Sequence, residues 1–386
     1  MKIMPYGRQY VDAADIYSVS KALRQSVITG GQMVDEFEHR IGLFTESKFQ
    51  ISCNSGTSAL LMAFMAIDVK KSDIIICPAI NFTATNNILK NIGAKVYLAD
   101  VDPETGQMTP ENLLDCISKN NIKKIKAVVT MYLGGRPLNI ENFFYLKKKF
   151  KFLLLEDACH ALGSEYKVGN NFLKIGSCKH SDICLFSLHP LKTITAGEGG
   201  IFTTNSKKIY QRAKLFRSHG IVRSKNHYDY DVISSGLNLR LSDINCALAI
   251  SQLKKINTFV KSRKKISNLY TKKLEKFSEF VSLPASTSKE RSSHHLYQVN
   301  LKINNLKISR DDVINILLKN KIYTQIHYIP IYRHTNFRFL EKKSIINSEI
   351  FYKTTLSLPI FYKMTSKTVD FVVKRLGNIF NKYRNI

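Results

Sequence analysis

Long apolar runs are missing from this 386-residue sequence. The longest, residues 59–67, falls well short of the ~18 residues that span a bilayer, so no membrane partner is expected. The first ten residues are polar and basic and are soon followed by Asp12 and Asp15, so no secretory signal is read. Cysteines are few: seven, odd in number, scattered over positions 53, 77, 116, 159, 178, 184 and 246. That fits buried reduced thiols of a cytoplasmic protein better than a disulfide framework. Cys178-Lys179-His180 lacks a second ligand pair at zinc spacing, so no metal is expected. Acidic residues are scarce, 30 against 58 Lys and Arg, for a net charge of +28. A basic balance of this size is a property of nucleic-acid binders. Here, however, the lysines are spread among Ile and Leu without a basic arm or an aromatic-interleaved patch, so no nucleic-acid partner is expected. Internal repeats and low-complexity tracts are also absent.

What is present is a globular balance of 44% apolar and 23% charged residues. The length suggests roughly two to three domain-sized units. Amphipathic patterns predict helices over residues 11–26, 33–46, 57–67, 82–91, 111–118 and 141–149. Between them, residues 74–77, 95–99, 127–131 and 152–156 read as short buried strands, followed by strands at 183–186 and 200–204. Strand–helix alternation of this kind builds a mainly parallel sheet covered on both faces, an α/β fold. Helices at 207–217, 242–255 and 258–276 come next, and residues 284–293 read as a polar linker. A strand (296–303), a helix (310–319), a strand (323–326) and a last helix from about residue 367 complete the pattern. The expected division is a large domain, 1–255, and a small α/β domain, 256–386.

Three segments carry chemistry. In Phe186-Ser187-Leu188-His189-Pro190-Leu191-Lys192, a lysine follows a strand and enters a stretch containing Gly197, Gly199 and Gly200. A lysine in this chain is ordinarily a solvated surface charge. In a partly dry site its pKa falls and it can form an imine with an aldehyde. In Leu155-Glu156-Asp157-Ala158-Cys159-His160, two acids close an apolar strand, where ligands of open α/β sheets sit. Asp157 is either a turn-forming residue or the partner of a pyridinium nitrogen. Cys159 and His160 are neighbours that point to opposite sides of an extended chain, which argues against a nucleophile–base pair. In Asn54-Ser55-Gly56-Thr57-Ser58, small residues lead into a helix whose free N–H groups suit a phosphate, or Ser55 is simply an N-cap. No Gly-Lys-Ser/Thr follows, so this is not a Walker loop.

In this order and spacing the three segments resemble the DegT–StrS family of sugar-nucleotide aminotransferases. The resemblance implies the aspartate-aminotransferase-like fold (PLP-dependent transferase fold type I), with a mainly parallel seven-stranded sheet. It also implies pyridoxal 5'-phosphate (PLP) as cofactor. By that resemblance Lys192 matches the lysine that carries the cofactor and Asp157 the carboxylate on the pyridine nitrogen. His160 lies beside the ring hydroxyl, and Gly56, Thr57 and Ser187 contact the phosphate. Phe82 stacks on the ring. Asn238 reaches the phosphate from a second subunit, which implies a homodimer with shared active sites. Residues 28–31, 160–166, 216–220, 292–297 and 325–332 look most like the branch that aminates C4 of a UDP-linked 4-keto-6-deoxy-L-AltNAc sugar, with glutamate as donor, in pseudaminic acid biosynthesis. In that branch Tyr6, Thr29, His327 and Tyr328 line the sugar-nucleotide site; core-facing positions for His327 and Tyr328 are the bland alternative. Gly56 and Leu188 replace the commoner Ala and Phe, and the loop 132–136 departs from the branch. Rival readings are the same chemistry on a bacillosamine, legionaminic or perosamine pathway sugar, a sugar dehydratase (which has His where Lys192 stands), and a non-catalytic regulator or basic binding protein.

Overall fold

Nearly every apolar run of the first half becomes a strand of one sheet, and the amphipathic segments between them cover it. A computed structural model of the chain describes residues 3–226, 228–285, 287–340 and 345–385. The chain opens with α1 (Ala13–Leu23), α2 (Gln32–Thr45), β1 (Phe49–Cys53), α3 (Gly56–Ala66), β2 (Ile74–Pro78), α4 (Thr83–Ile92) and β3 (Lys95–Ala99). It continues through α5 (Pro110–Lys119), β4 (Ala127–Met131), α6 (Ile140–Phe150) and β5 (Leu153–Asp157). A hairpin, β6 (Glu165–Val168) and β7 (Asn171–Lys174), precedes β8 (Ile183–Ser187), β9 (Gly200–Thr204) and α7 (Lys207–Arg217). A second hairpin, β10 (Ile221–Arg223) and β11 (Tyr230–Val232), leads to α8 (Asp243–Leu253) and α9 (Ile256–Leu274).

The seven-stranded sheet has the order β1-β9-β8-β5-β4-β2-β3. Strand β9 runs antiparallel to both neighbours, and the remaining pairings are parallel. Every residue of β4 and β9 is buried, as expected for central strands covered on both faces. Helix α3 lies against the sheet, its Leu60, Met62, Ala63 and Phe64 packed with Ile51, Ile75 and Phe202. Local chemistry sets the helix ends. Ser55 caps α3 by accepting from the Ser58 N–H, and Gly93 ends α4 in the left-handed region.

The rest of the chain forms β12 (Val281–Ser282), β13 (Glu290–Arg291), β14 (Tyr297–Leu301), α10 (Arg310–Lys319), α11 (Ile346–Thr354), β15 (Thr355–Leu358) and α12 (Ser366–Lys382). Here β12, β14 and β15 make a three-stranded antiparallel sheet, and Tyr270, Tyr297, Val313, Leu356 and Phe380 share an apolar cluster. Ile331, Tyr332, Phe337, Leu340 and Ile345 depart from this cluster and pack with the large sheet.

Two expectations are corrected. Residues 323–326 are not a strand. Gln325 makes only an isolated bridge to Ser357, because the N–H of Tyr323 is turned instead to Met4 O at 2.9 Å. The stretch 284–293 is not merely a linker. Glu290 and Arg291 pair with Tyr166 and Glu165, held by the ion pairs Arg136–Glu290 (2.8 Å) and Arg291–Glu165 (2.9 Å).

Candidate active site

A cavity of about 590 Å³ opens at the carboxyl ends of β5 and β8, where open α/β sheets place their ligands. It collects Gly56, Thr57, Phe82, Asp157, His160, Ser187 and Lys192 from four separate segments. Tyr6, His327 and Tyr328 also line it.

Lys192 sits on a turn pinned at several points. Its own N–H donates to His189 O (2.9 Å), Leu188 N–H to Gly199 O (2.8 Å), and Ala196 N–H to Leu188 O (3.0 Å). From α8, Asn245 Nδ2 donates to Ala196 O (2.5 Å). Gly200 lets β9 approach the loop before α3, since a Cβ there would lie 2.2 Å from Ser55 O. Burial holds the Lys192 ammonium below its ordinary range, and the charges of Cys159 and Asp157 only partly restore it.

Asp157 ends β5 and is 2% exposed. Desolvation raises its pKa, opposed by the Cys159 N–H donated to Oδ1 at 3.1 Å and by the nearby Lys192 charge. The preceding Glu156 faces the other side of the sheet and accepts the Tyr132 hydroxyl at 2.6 Å.

At the start of α3, the Ser58 N–H is taken by Ser55 Oγ and the Ala59 N–H by Ser55 O. The N–H groups of Gly56 and Thr57 precede any intrahelical acceptor and remain for an anion. A Cβ on Gly56 would lie 3.0 Å from Ser187 Cβ and 3.4 Å from Cys159 Sγ, so the glycine keeps this cradle open. Phe82 stands at the head of α4, 52% exposed, its ring centroid 5.8 Å from that of Tyr328. A phosphate cradle, a partly buried amine, a buried carboxylate and an exposed aromatic face fit a flat phosphorylated heteroaromatic aldehyde.

Three buried histidines form one wall. His160 is bonded to Gly134 N–H (3.4 Å) and Tyr328 Oη (3.0 Å), and its ring centroid lies 4.3 Å from that of His295. His327 Nδ1 lies 2.9 Å from Ser357 Oγ. Burial first, and then the Lys192 charge, depress all three, His327 to about 3.

Two expected site residues lie elsewhere. Asn238 is exposed, bridged to Ser218, and outside this chain's cavity. Thr29 is exposed on the loop between α1 and α2, bridged to Ser242, and outside it too. Cys178 and His180 do not converge on a metal: the thiol reaches Thr203 O and the imidazole Tyr166 Oη. The sequence reading missed Asn81 and His295, both buried cavity residues with an unbonded side-chain nitrogen, Nδ2 and Nδ1. Their only signal is adjacency, Asn81 to Phe82 and His295 to the quoted segment 292–297.

The model of the DegT/DnrJ/EryC1/StrS aminotransferase family matches residues 9–377. A Campylobacter jejuni UDP-4-amino-4,6-dideoxy-N-acetyl-beta-L-altrosamine transaminase (strain 81-176) is 36% identical over 383 residues, 99% of each chain. A Helicobacter pylori protein of the same name is 30% identical over the full length of both. Among solved structures, Helicobacter pylori PseC, an aminotransferase of pseudaminic acid biosynthesis, superposes with a TM-score of 0.91 at 28% identity, covering 99% of this chain and 100% of its own. Spr1654 from Streptococcus pneumoniae, in its PLP form, shares the fold at a TM-score of 0.89 and 24% identity, covering 98% of this chain and 99% of its own.

Proposed function

The chain belongs to the DegT/DnrJ/EryC1/StrS aminotransferase family, and from that premise we propose that it transfers an amino group from glutamate to C4 of UDP-4-keto-6-deoxy-L-AltNAc, with PLP as cofactor. The observation that carries the reading is the partly buried Lys192 amine facing the Asp157 carboxylate beside an open phosphate cradle. The near-full-length similarity to the transaminases of that name supports the sugar.

When bound, PLP supplies an electrophilic carbon for amines and a ring that draws electrons from that carbon. Thr57, Ser187 and the N–H groups at the start of α3 hold the phosphate. Phe82 covers one ring face. Asp157 would place its negative charge at the ring nitrogen from a buried position, where the attraction is strong. Lys192 Nζ, favoured in its neutral form by burial, takes the proton from the donor's α-carbon and delivers a proton to C4 of the sugar. Tyr6, His327 and Tyr328 line the sugar side.

The reading includes a homodimer. The described cavity lining contains no arginine and one lysine, Lys192, so a UDP diphosphate lacks a cation from this chain alone. Ile16, Tyr17, Leu23, Val27 and Ile28 are exposed near α1, and Val222, Tyr230, Val232, Ile233 and Leu237 on and after the second hairpin. Such apolar exposure supports a second copy, whose Asn238 and Thr29 complete the site. The unpaired state of all seven cysteines supports a cytoplasmic setting. The division into domains 1–255 and 256–386 is supported by the separate apolar cluster around α9 and α12.

The test is incubation with UDP- and GDP-linked 4-keto sugars plus glutamate, with products read by mass and NMR. Absence of an amino sugar from the L-altro substrate, with product from another sugar, overturns the sugar and leaves the aminotransferase.

A further inference from the structure

His160 has two ring nitrogens and two partners, and the partners are not equivalent. Gly134 offers a backbone N–H to Nδ1 at 3.4 Å, and an amide N–H can only donate. Nδ1 is therefore the bare nitrogen. The ring is buried and held neutral, so its single proton sits on Nε2, which points at Tyr328 Oη at 3.0 Å. That phenol oxygen accepts, and its own proton is left for a third group.

The orientation is over-determined. Gly134 O in turn accepts the His295 N–H at 3.0 Å, and the His295 ring lies against His160. Ser293 Oγ donates to His160 O (2.8 Å), while Ser164 Oγ and Ser292 Oγ both donate to Gly135 O (2.7 and 2.9 Å). A side chain at Gly135 would collide with Ser293 Oγ at 2.2 Å and with His160 O at 2.7 Å. The loop that departs from the family branch is thus the one that holds this imidazole.

We propose that residues 132–136 and 292–295 act as a clamp that fixes His160 as its Nε2–H tautomer, so that the Tyr328 hydroxyl is committed as a hydrogen-bond donor to an oxygen of the molecules seated over Lys192. The inference rests on the aminotransferase reading and deepens it. The acceptor is an oxygen from one of two sources, the ring hydroxyl oxygen of the cofactor or the keto oxygen of the sugar. Tyr328 is the donor, and His160 is its positioning residue.

The test compares wild type with Tyr328→Phe, His160→Gln and His160→Ala, each loaded with PLP. The visible absorption is titrated against pH, and the glutamate and keto-sugar half-reactions are timed separately. With the acceptor on the cofactor, Tyr328→Phe displaces the pH midpoint of the absorption band. With the acceptor on the sugar, the band and the glutamate half-reaction stay as in wild type, and the keto-sugar half-reaction slows roughly tenfold, the weight of one directed hydrogen bond. In either case His160→Ala tracks Tyr328→Phe, and His160→Gln, which keeps an N–H donor, departs from wild type less than His160→Ala does. A Tyr328→Phe protein indistinguishable from wild type in both readouts overturns the proposal, as does His160→Ala matching wild type. If His160→Ala does not fold, the Tyr328→Phe arms still decide. If wild type binds PLP but aminates no keto sugar, the functional reading fails on its own, and the absorption titration still tests the donor.

Discussion

Replacing Asp157 with Asn separates the stability of this site from its function. The carboxylate is 2% exposed and accepts the Cys159 N–H, with the Cys159 thiol also interacting with it. Its raised pKa means that the folded chain binds the carboxyl proton more tightly than the unfolded chain does. Its contribution is therefore favourable below the unfolded value of about 3.9 and becomes a penalty as pH rises through the folded value. At pH 7–8 wild type carries that penalty. Burying a carboxylate costs several kcal/mol, and the Cys159 bond with the nearby Lys192 charge offsets part of it. Asn keeps an acceptor for Cys159 N–H but leaves its amide nitrogen unpaired, at about 1–2 kcal/mol. The expected net is a cofactor-free Asp157→Asn protein more stable than wild type by about 1 kcal/mol at pH 8, and less stable relative to it at pH 4. Cofactor affinity moves the other way. Removing one member of a buried charge pair costs about 2–5 kcal/mol, a weakening of roughly 30-fold or more. Urea unfolding of the cofactor-free proteins at both pH values, with a spectroscopic PLP titration, reads both terms. An Asp157→Asn protein that loses 1 kcal/mol or more at pH 8, or that binds PLP as tightly as wild type, refutes the reasoning.

Lys192→Ala is expected to lose the visible absorption of the loaded protein together with amino transfer; retained turnover rules the assignment out. His327, held at about 3 by burial, contributes stability that is full above the unfolded histidine pKa and drains as pH falls toward its folded value. The loss reaches about 2 kcal/mol by pH 5, and acid unfolding of His327→Gln is correspondingly shallower. Glu38 Oε1 accepts from Ser52 N–H, Ser52 Oγ and Arg217 Nη1 at 2.6–2.8 Å, with the charged side chains 15% and 11% exposed. Glu38→Ala is expected to cost about 3 kcal/mol in urea unfolding, with Glu38→Ala/Arg217→Ala losing less than the sum of the single changes.

Local pattern alone carried the elements whose character is set within a few residues. The strands Lys95–Ala99, Ala127–Met131 and Gly200–Thr204 and the helices Lys207–Arg217 and Arg310–Lys319 lie where the periodicity puts them. The cavity positions of Lys192 and Asp157 were legible because open α/β sheets place their ligand sites beyond the carboxyl ends of the strands. Strand β1, with polar Gln50 and Ser52 interleaved, and the β6–β7 hairpin showed no such run and went unread.

What only the tertiary structure decided is which distant groups share a wall. The order β1-β9-β8-β5-β4-β2-β3, with one antiparallel strand, is a global packing solution that no window of sequence encodes. The His160–Tyr328 bond joins residues 168 apart, and His295 enters the same wall from a third segment. Apolar periodicity says which face of an element is dry; it is silent about which polar groups meet there, because that depends on how whole elements pack.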